Sequence, residues 1–340
     1  MPDDELGYGD PRGTEVLRRA LAEYLGRVRG LVTDAEHVVI TSGYAQGRVL
    51  VCQALRAIGV KRLAVEDPGE RTLRGAVVHA GLEVVPIPVD RDGIRVEELA
   101  RSRADAVLLT PAHQFPTGAV LSGERRAELL AWLRDRNAIA VEDDYDAEYR
   151  YDRAPVGALQ ALEPARIVYA GTASKTLAPA LRLGWLIVPP VLVEAISAAR
   201  RQADLGGPRI EQNAFADFLN RGELDRHLRR QRASYRARRD ALLLALKEAM
   251  PEATIFGICA GLHATVGLPD GYNELAIRDE ALRRGIAVTA LSDHQFLARG
   301  GPPTLLLSYA RSSEPTIRAG VRELAAAIRA ASPRPRLGSR

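Results

Sequence analysis

The feature that most constrains this chain is an alternation. Short apolar runs recur through its first two-thirds, each closed by turn residues and most followed by a helical stretch. The runs are His37–Thr41, Leu63–Glu66, Leu82–Val89, Ala104–Thr110, Ala138–Glu142, Ile167–Ala170 and Leu183–Val188. Continuous apolar runs belong to strands covered on both faces, unlike the in–out pattern of a half-exposed sheet. Helical periodicity after Thr14, over Ala45–Ala57 and over Ser122–Arg136 supplies the covers. The expected fold is α/β, a mostly parallel, doubly wound sheet. From Val191 to Met250 the pattern turns almost wholly helical. Strands are then expected at Thr254–Ile258, Leu262–Leu268, Ile286–Thr289 and Thr304–Tyr309, with helices at Glu274–Arg284 and Pro315–Ala331, a smaller α+β region. The expected division is a large domain at 1–225, an interdomain helix and small domain at 226–331, and a disordered tail rich in Pro, Arg and Gly at 332–340.

Composition excludes several classes. With 340 residues the chain can hold about two domains. No apolar run approaches the ~18 residues of a membrane span. The start, Met1-Pro2-Asp3-Asp4-Glu5, is acidic and lacks the apolar core of a secretory signal. Two cysteines, Cys52 and Cys259, cannot build a disulfide framework and fit a cytoplasmic compartment; Cys52 lies in an apolar helix and reads as core. His37, His79, His263 and His294 are scattered without metal-ligand spacing, so they read as structural or surface residues and no metal is expected. The chain has only three lysines (Lys61, Lys175, Lys247), so any mechanism that needs a lysine amine has three candidates.

Ligands of open parallel sheets gather at the carboxyl ends of strands. After the first strand, Thr41-Ser42-Gly43-Tyr44-Ala45-Gln46 turns into a helix whose free N–H groups can hold a phosphate, or is an ordinary turn. After the fifth comes Asp143-Asp144-Tyr145-Asp146-Ala147-Glu148, which can serve a metal, a cationic ring nitrogen or simply solvent. After the sixth, Gly171-Thr172-Ala173-Ser174-Lys175 places a lysine beside two hydroxyls, with Arg182 seven residues on. That set suits a Schiff-base lysine flanked by phosphate ligands, against the alternative of a surface lysine on a turn. Thr110-Pro111-Ala112-His113-Gln114-Phe115-Pro116-Thr117-Gly118 follows another strand and can shape a pocket wall.

Together, Tyr8-Gly9-Asp10-Pro11-Arg12-Gly13, His113-Gln114-Phe115-Pro116-Thr117-Gly118, Glu142-Asp143-Asp144-Tyr145-Asp146 and Gly171-Thr172-Ala173-Ser174-Lys175 resemble the motifs of fold-type I pyridoxal-phosphate (PLP) aminotransferases. The closer resemblance is to the aminotransferase-like domain of MocR/GabR-type regulators, from Tyr8 to about Ala331. It implies that Lys175 carries pyridoxal 5′-phosphate as a Schiff base and later moves the substrate proton. Asp143 would pair with the ring nitrogen and Tyr145 with the ring hydroxyl oxygen. Gly43, Tyr44 and Ala45 would offer backbone donors to the phosphate, with Thr172, Ser174 and Arg182 adding side-chain contacts. Tyr8 would reach the phosphate of the neighbouring subunit, implying a homodimer with shared active sites. The Arg226–Arg239 run corresponds to the family's basic interdomain helix; its arginines fall all round the helix, so it is not read as a nucleic-acid surface.

The sequence departs from this family in three places. Where a ring-stacking aromatic is usual, Glu66-Asp67-Pro68-Gly69 is followed by Glu70, leaving His113 or Phe115 to cover the ring or Glu70 to take part in chemistry. The arginine that clamps a substrate carboxylate is replaced at Leu306; Arg311 is the nearby substitute to test. Only seven residues precede Tyr8, so the segment lining the substrate entrance and the regulators' DNA-binding domain are expected to be missing. The expected function is a PLP-dependent enzyme acting on an amino acid or other amine, foremost an aminotransferase. The alternatives are PLP-dependent elimination, decarboxylation, replacement or oxidation, or a non-catalytic PLP-binding sensor.

Overall fold

The computed structural model describes residues 7–146, 148–151, 157–297 and 300–331. The tail expected at 332–340 lies outside them.

Eight strands form the larger sheet: β1 (Val38–Thr41), β2 (Arg62–Asp67), β3 (Glu83–Asp90), β4 (Gly93–Ile94), β5 (Ala106–Leu109), β6 (Ile139–Asp143), β7 (Ile167–Thr172) and β8 (Gly184–Ile187). Their order is β1-β8-β7-β6-β5-β2-β3-β4. The centre, from β7 through β6, β5 and β2 to β3, is parallel. β8 runs antiparallel between β7 and β1, with Thr172 opposite Gly184 and Thr41 opposite the same glycine. The sheet is thus α/β, mostly parallel and doubly wound, as its apolar runs require. Successive residues go to opposite sides: Val39, Val168 and Leu186 join one core, whereas Ile40, Tyr169 and Trp185 join the other. Helices α1 (Glu15–Arg29), α2 (Tyr44–Ala57), α3 (Arg71–His79), α4 (Val96–Arg101) and α5 (Gly123–Asp135) pack around it. The short α6 (Ala173–Thr176), then α7 (Pro190–Asp204) and α8 (Arg209–Asn220), complete this part.

Helix α9 (Glu223–Ala249) runs onward to a four-stranded sheet of β9 (Thr254–Phe256), β10 (His263–Gly267), β11 (Thr289–Ala290) and β12 (Thr304–Ser308), ordered β11-β12-β10-β9 and antiparallel. Helices α10 (Glu274–Arg283) and α11 (Glu314–Ala331) cover one face with Leu242 and Leu246 of α9. The arginines of α9 explain their own abundance. Arg232 donates to the Glu148 carbonyl at 2.6 Å, Arg236 to Tyr151 at 2.7 Å and Arg239 to Ile258 at 3.2 Å, while Arg238 donates to Ala310. They tie the helix to carbonyls on both sides of it rather than forming a basic stripe.

One expectation shifts. The strand expected at Ile286–Thr289 shrinks to Thr289–Ala290. Asp90–Gly93 makes a tight hairpin, Val89 opposite Ile94, made possible by Gly93 at φ +99°. No described helix is long and apolar enough to cross a membrane.

Candidate active site

The carboxyl ends of β2, β5, β6 and β7 open into a cavity of about 400 Å³, roofed by the four-stranded sheet. Its floor is built from the acidic run that ends β6. Each member of the run has a separate fate. Glu142 is fully buried and accepts the Leu159 and Gln160 N–H groups at 2.9 and 3.0 Å. Asp144 pairs with Arg29 at 2.7 Å and accepts the Tyr169 hydroxyl at 2.8 Å. Asp146 lies 2.8 Å from His113 Nδ1. Asp143, the last residue of the strand, faces the cavity. The run is therefore no solvated loop.

Asp143 has no ion-pair partner among the described residues; the Tyr44 hydroxyl donates to it. Burial, reinforced by Asp144, Asp146 and Glu66, pushes its carboxyl up to about 8. Such a group calls for a cation supplied from outside the chain. Tyr145 stands beside it, 3.2 Å from His113 Nδ1, with its hydroxyl held well above the usual phenol range by burial and by Asp146. Asp146 thus anchors both His113 and Tyr145.

The next strand end supplies the amine. Thr172 closes β7 and caps α6, its hydroxyl accepting the Ser174 N–H at 3.1 Å and lying 3.0 Å from the Ser174 hydroxyl. Lys175 follows, lines the cavity, and forms no ion pair among the described residues. Arg182 returns from the same connection, in the left-handed region at φ 49°, and donates to the Ser42 carbonyl at 3.0 Å. A Cβ at Gly43 would lie 2.9 Å from the Arg182 guanidinium, so glycine lets the two meet. Gly43 also starts α2 without a side-chain cap, which leaves the first-turn N–H groups of Tyr44 and Ala45 without acceptors among the described residues. A guanidinium, two hydroxyls and a bare helix start converge here, a donor set that suits a phosphate dianion.

Thr172, Ser174, Lys175, Arg182, Tyr44, Ala45, Phe115, Asp143 and Tyr145 all line this one cavity, with Gly43 behind it. Tyr8 does not; it is 92% exposed and lies near Arg209 and Ile210. Of the two candidates to cover a ring, Phe115 lines the cavity, and His113 is buried outside the lining. Glu70 caps α3, accepting the Thr72 N–H at 2.9 Å and its hydroxyl at 2.8 Å. Leu306 lines the roof, and Arg311 is exposed and outside the lining.

Sequence reasoning missed four contributors. Glu66 ends β2, lines the cavity and accepts the Thr110 N–H and hydroxyl at 3.0 and 2.6 Å; burial lifts it to about 7. The strand-end rule that found Asp143 points to it equally. His263, read as scattered, is buried 4.8 Å from the His113 ring, centroid to centroid, and lines the roof. Its position opposite Ser308 in the β10–β12 ladder brings it there, which spacing along the chain does not reveal. Ser308 and Thr289 complete the set.

This fold, with a lysine, an unpaired acid and a phosphate-type donor set at the strand ends, defines the aminotransferase type of α/β enzyme. The aminotransferase class I and II family matches residues 2–324, and the chain belongs to that family. Among solved structures it is similar to Pyrococcus horikoshii kynurenine aminotransferase, with 29% identity over 96% of this chain and 83% of that one and a TM-score of 0.87. It is 33% identical to the pyridoxine biosynthesis transcriptional regulator PdxR of Corynebacterium glutamicum, over 94% of this chain and 69% of the regulator. It is 29% identical to aromatic-amino-acid aminotransferase 1 of Thermococcus litoralis, over 95% of this chain and 80% of the relative. The fold and the enzyme class expected from the sequence are those found.

Proposed function

We propose that this chain binds pyridoxal 5′-phosphate and transfers amino groups, with Lys175 as the residue that holds the cofactor covalently. One observation carries the reading: an acid without a counter-ion, a free lysine and a cluster of phosphate donors share one cavity. When bound, pyridoxal phosphate supplies an electron sink for the pair released at the substrate carbon. Asp143 keeps the ring nitrogen protonated, and the incoming cation turns its unfavourable burial into an ion pair. Thr172, Ser174, Arg182 and the N–H groups of Gly43, Tyr44 and Ala45 hold the phosphate. Tyr145, steadied by Asp146, would hydrogen-bond the ring hydroxyl oxygen, and Phe115 would offer the ring an apolar wall. Lys175 would anchor the cofactor and is the amine placed to hold or move a proton at the substrate carbon.

The exposure of Tyr8 supports a homodimer in which this tyrosine reaches the partner's phosphate. A cytoplasmic location fits the two unpaired cysteines. The likeness to transcriptional regulators favours a second reading, a sensor that binds cofactor and ligand without turnover. Leu306 in place of a carboxylate clamp favours a third, PLP chemistry other than transamination.

Purified protein with added pyridoxal phosphate is expected to be yellow, and Lys175→Ala to lose that absorption. A wild-type protein that stays colourless overturns the reading. Steady turnover with an amino donor and a carbonyl acceptor rules against the sensor.

A further inference from the structure

The cavity has two unlike ends, and the roof speaks to the substrate. β12 presents Leu306 and Ser308 to the cavity, and the β10 and β11 ladders set His263 opposite Ser308 and Thr289 opposite Leu306. Leu262 and Ala287 complete a surface of hydrocarbon, hydroxyl and imidazole. His263 adds no charge, because burial and the neighbouring His113 ring push it down to about 3.

Among the described residues the cations that line the cavity are Lys175 and Arg182. Arg182 lies at the opposite end, against Gly43 and the Ser42 carbonyl. Lys175 is committed to the covalent step. Asp143 is likewise committed, to the ring nitrogen, which leaves the carboxyl groups of Glu66 and Glu70. A substrate carboxylate that reached the roof would lose its water and find no counter-charge among the described residues, which is costly. An ammonium group, by contrast, is drawn in by the acids, and an apolar body fits Leu73, Phe115, Leu262 and Leu306.

Resting on the function proposed above, we infer that the amino donor is an apolar amine with no carboxylate on the carbon that bears the nitrogen. The reaction balances as R–CH2–NH3+ plus R′R″C=O giving R–CHO plus R′R″CH–NH3+. The amine carbon loses its C–N bond and two electrons and gains a carbonyl oxygen. A carboxylate-free aldehyde or ketone, entering the same cavity, gains the nitrogen, the two electrons and a hydrogen.

Matched pairs test this: phenylalanine with phenethylamine, leucine with isoamylamine, norleucine with pentylamine. In single-turnover measurements on loaded wild-type protein, each amine should discharge the visible absorption at least about tenfold faster than its parent amino acid. By calorimetry on loaded Lys175→Ala protein, each amine should bind at least about tenfold tighter. Leu306→Arg should reverse both preferences. Amino acids that bind and react as well as the amines overturn the inference and leave the proposed function standing, and so does a calorimeter that registers neither partner. Amines that bind tighter yet discharge nothing remove transamination and, with it, the amine as donor.

Discussion

The floor and the roof of the cavity are built on different principles. The floor is a row of strand ends in a buried parallel sheet, and its ionisable groups have no ion-pair partner among the described residues: Asp143 and Glu66, whose protons burial retains, on one side, Arg182 and bare N–H groups on the other. The roof is one face of an antiparallel sheet, and it is neutral throughout. An unpaired buried charge is retained at a cost in stability, so the floor is specialised for one charged guest. A neutral roof bears no such cost, and its residues can vary with the molecule it meets. On the function proposed, the floor would serve the cofactor and the roof the substrate.

The contrast can be broken at several points. The largest effect is expected from Lys175→Ala, which should lower turnover by at least about a thousandfold and abolish the visible absorption, read by steady-state kinetics and spectroscopy. Asp143→Ala should follow, with a loss of about a hundredfold in turnover. If it loses little, the floor does not hold a cationic ring. Leu306→Arg should change the ratio of amino-acid to amine reactivity by about tenfold or more and leave cofactor absorption intact.

A gentler probe is pH. Burial raises Glu66 from 4.5 to about 7 and Asp143 from 3.8 to about 8, so between about pH 4 and 8 the folded protein keeps protons that the unfolded chain has released. The cofactor-free protein should lose stability as pH rises through that window, seen as a falling melting temperature. Asp143→Asn should flatten the fall, and loaded protein should show less of it, because the bound cation favours the ionised acid. The smallest effect belongs to the rim. Glu70→Ala removes the α3 cap and should cost about 1 kcal/mol in urea unfolding, with Glu70→Asp restoring it.

The floor was legible in the sequence because its residues sit within a few positions of apolar runs that announce strands. Asp143, Thr172, Ser174 and Lys175 each follow such a run, so finding the strand finds the residue. Glu66 obeys the same rule, but it stands in the turn Glu66-Asp67-Pro68-Gly69 whose departure from the family falls on Glu70, four positions on. The roof was much less legible. Whether Leu306 and Ser308 or Leu305 and Leu307 face the cavity depends on the ladder register with β10, fixed by residues some forty positions away. His263 and His113 are neighbours only through that register. The cap made by Glu70 was equally hidden, since glutamate is an uncommon helix cap.

The antiparallel pairing of β8 with β7 has a mechanical meaning. Lys175 and Arg182 lie on a single connection whose two legs are locked side by side, Thr172 against Gly184. The span between the two backbone positions that carry the proposed covalent and phosphate-binding side chains is thus gauged by strand pairing, like the jaws of a caliper. A Cβ at Gly184 would press within 3.0 Å of the Gly43 backbone and 3.1 Å of the Gly171 carbonyl, so this one position sets the jaw width.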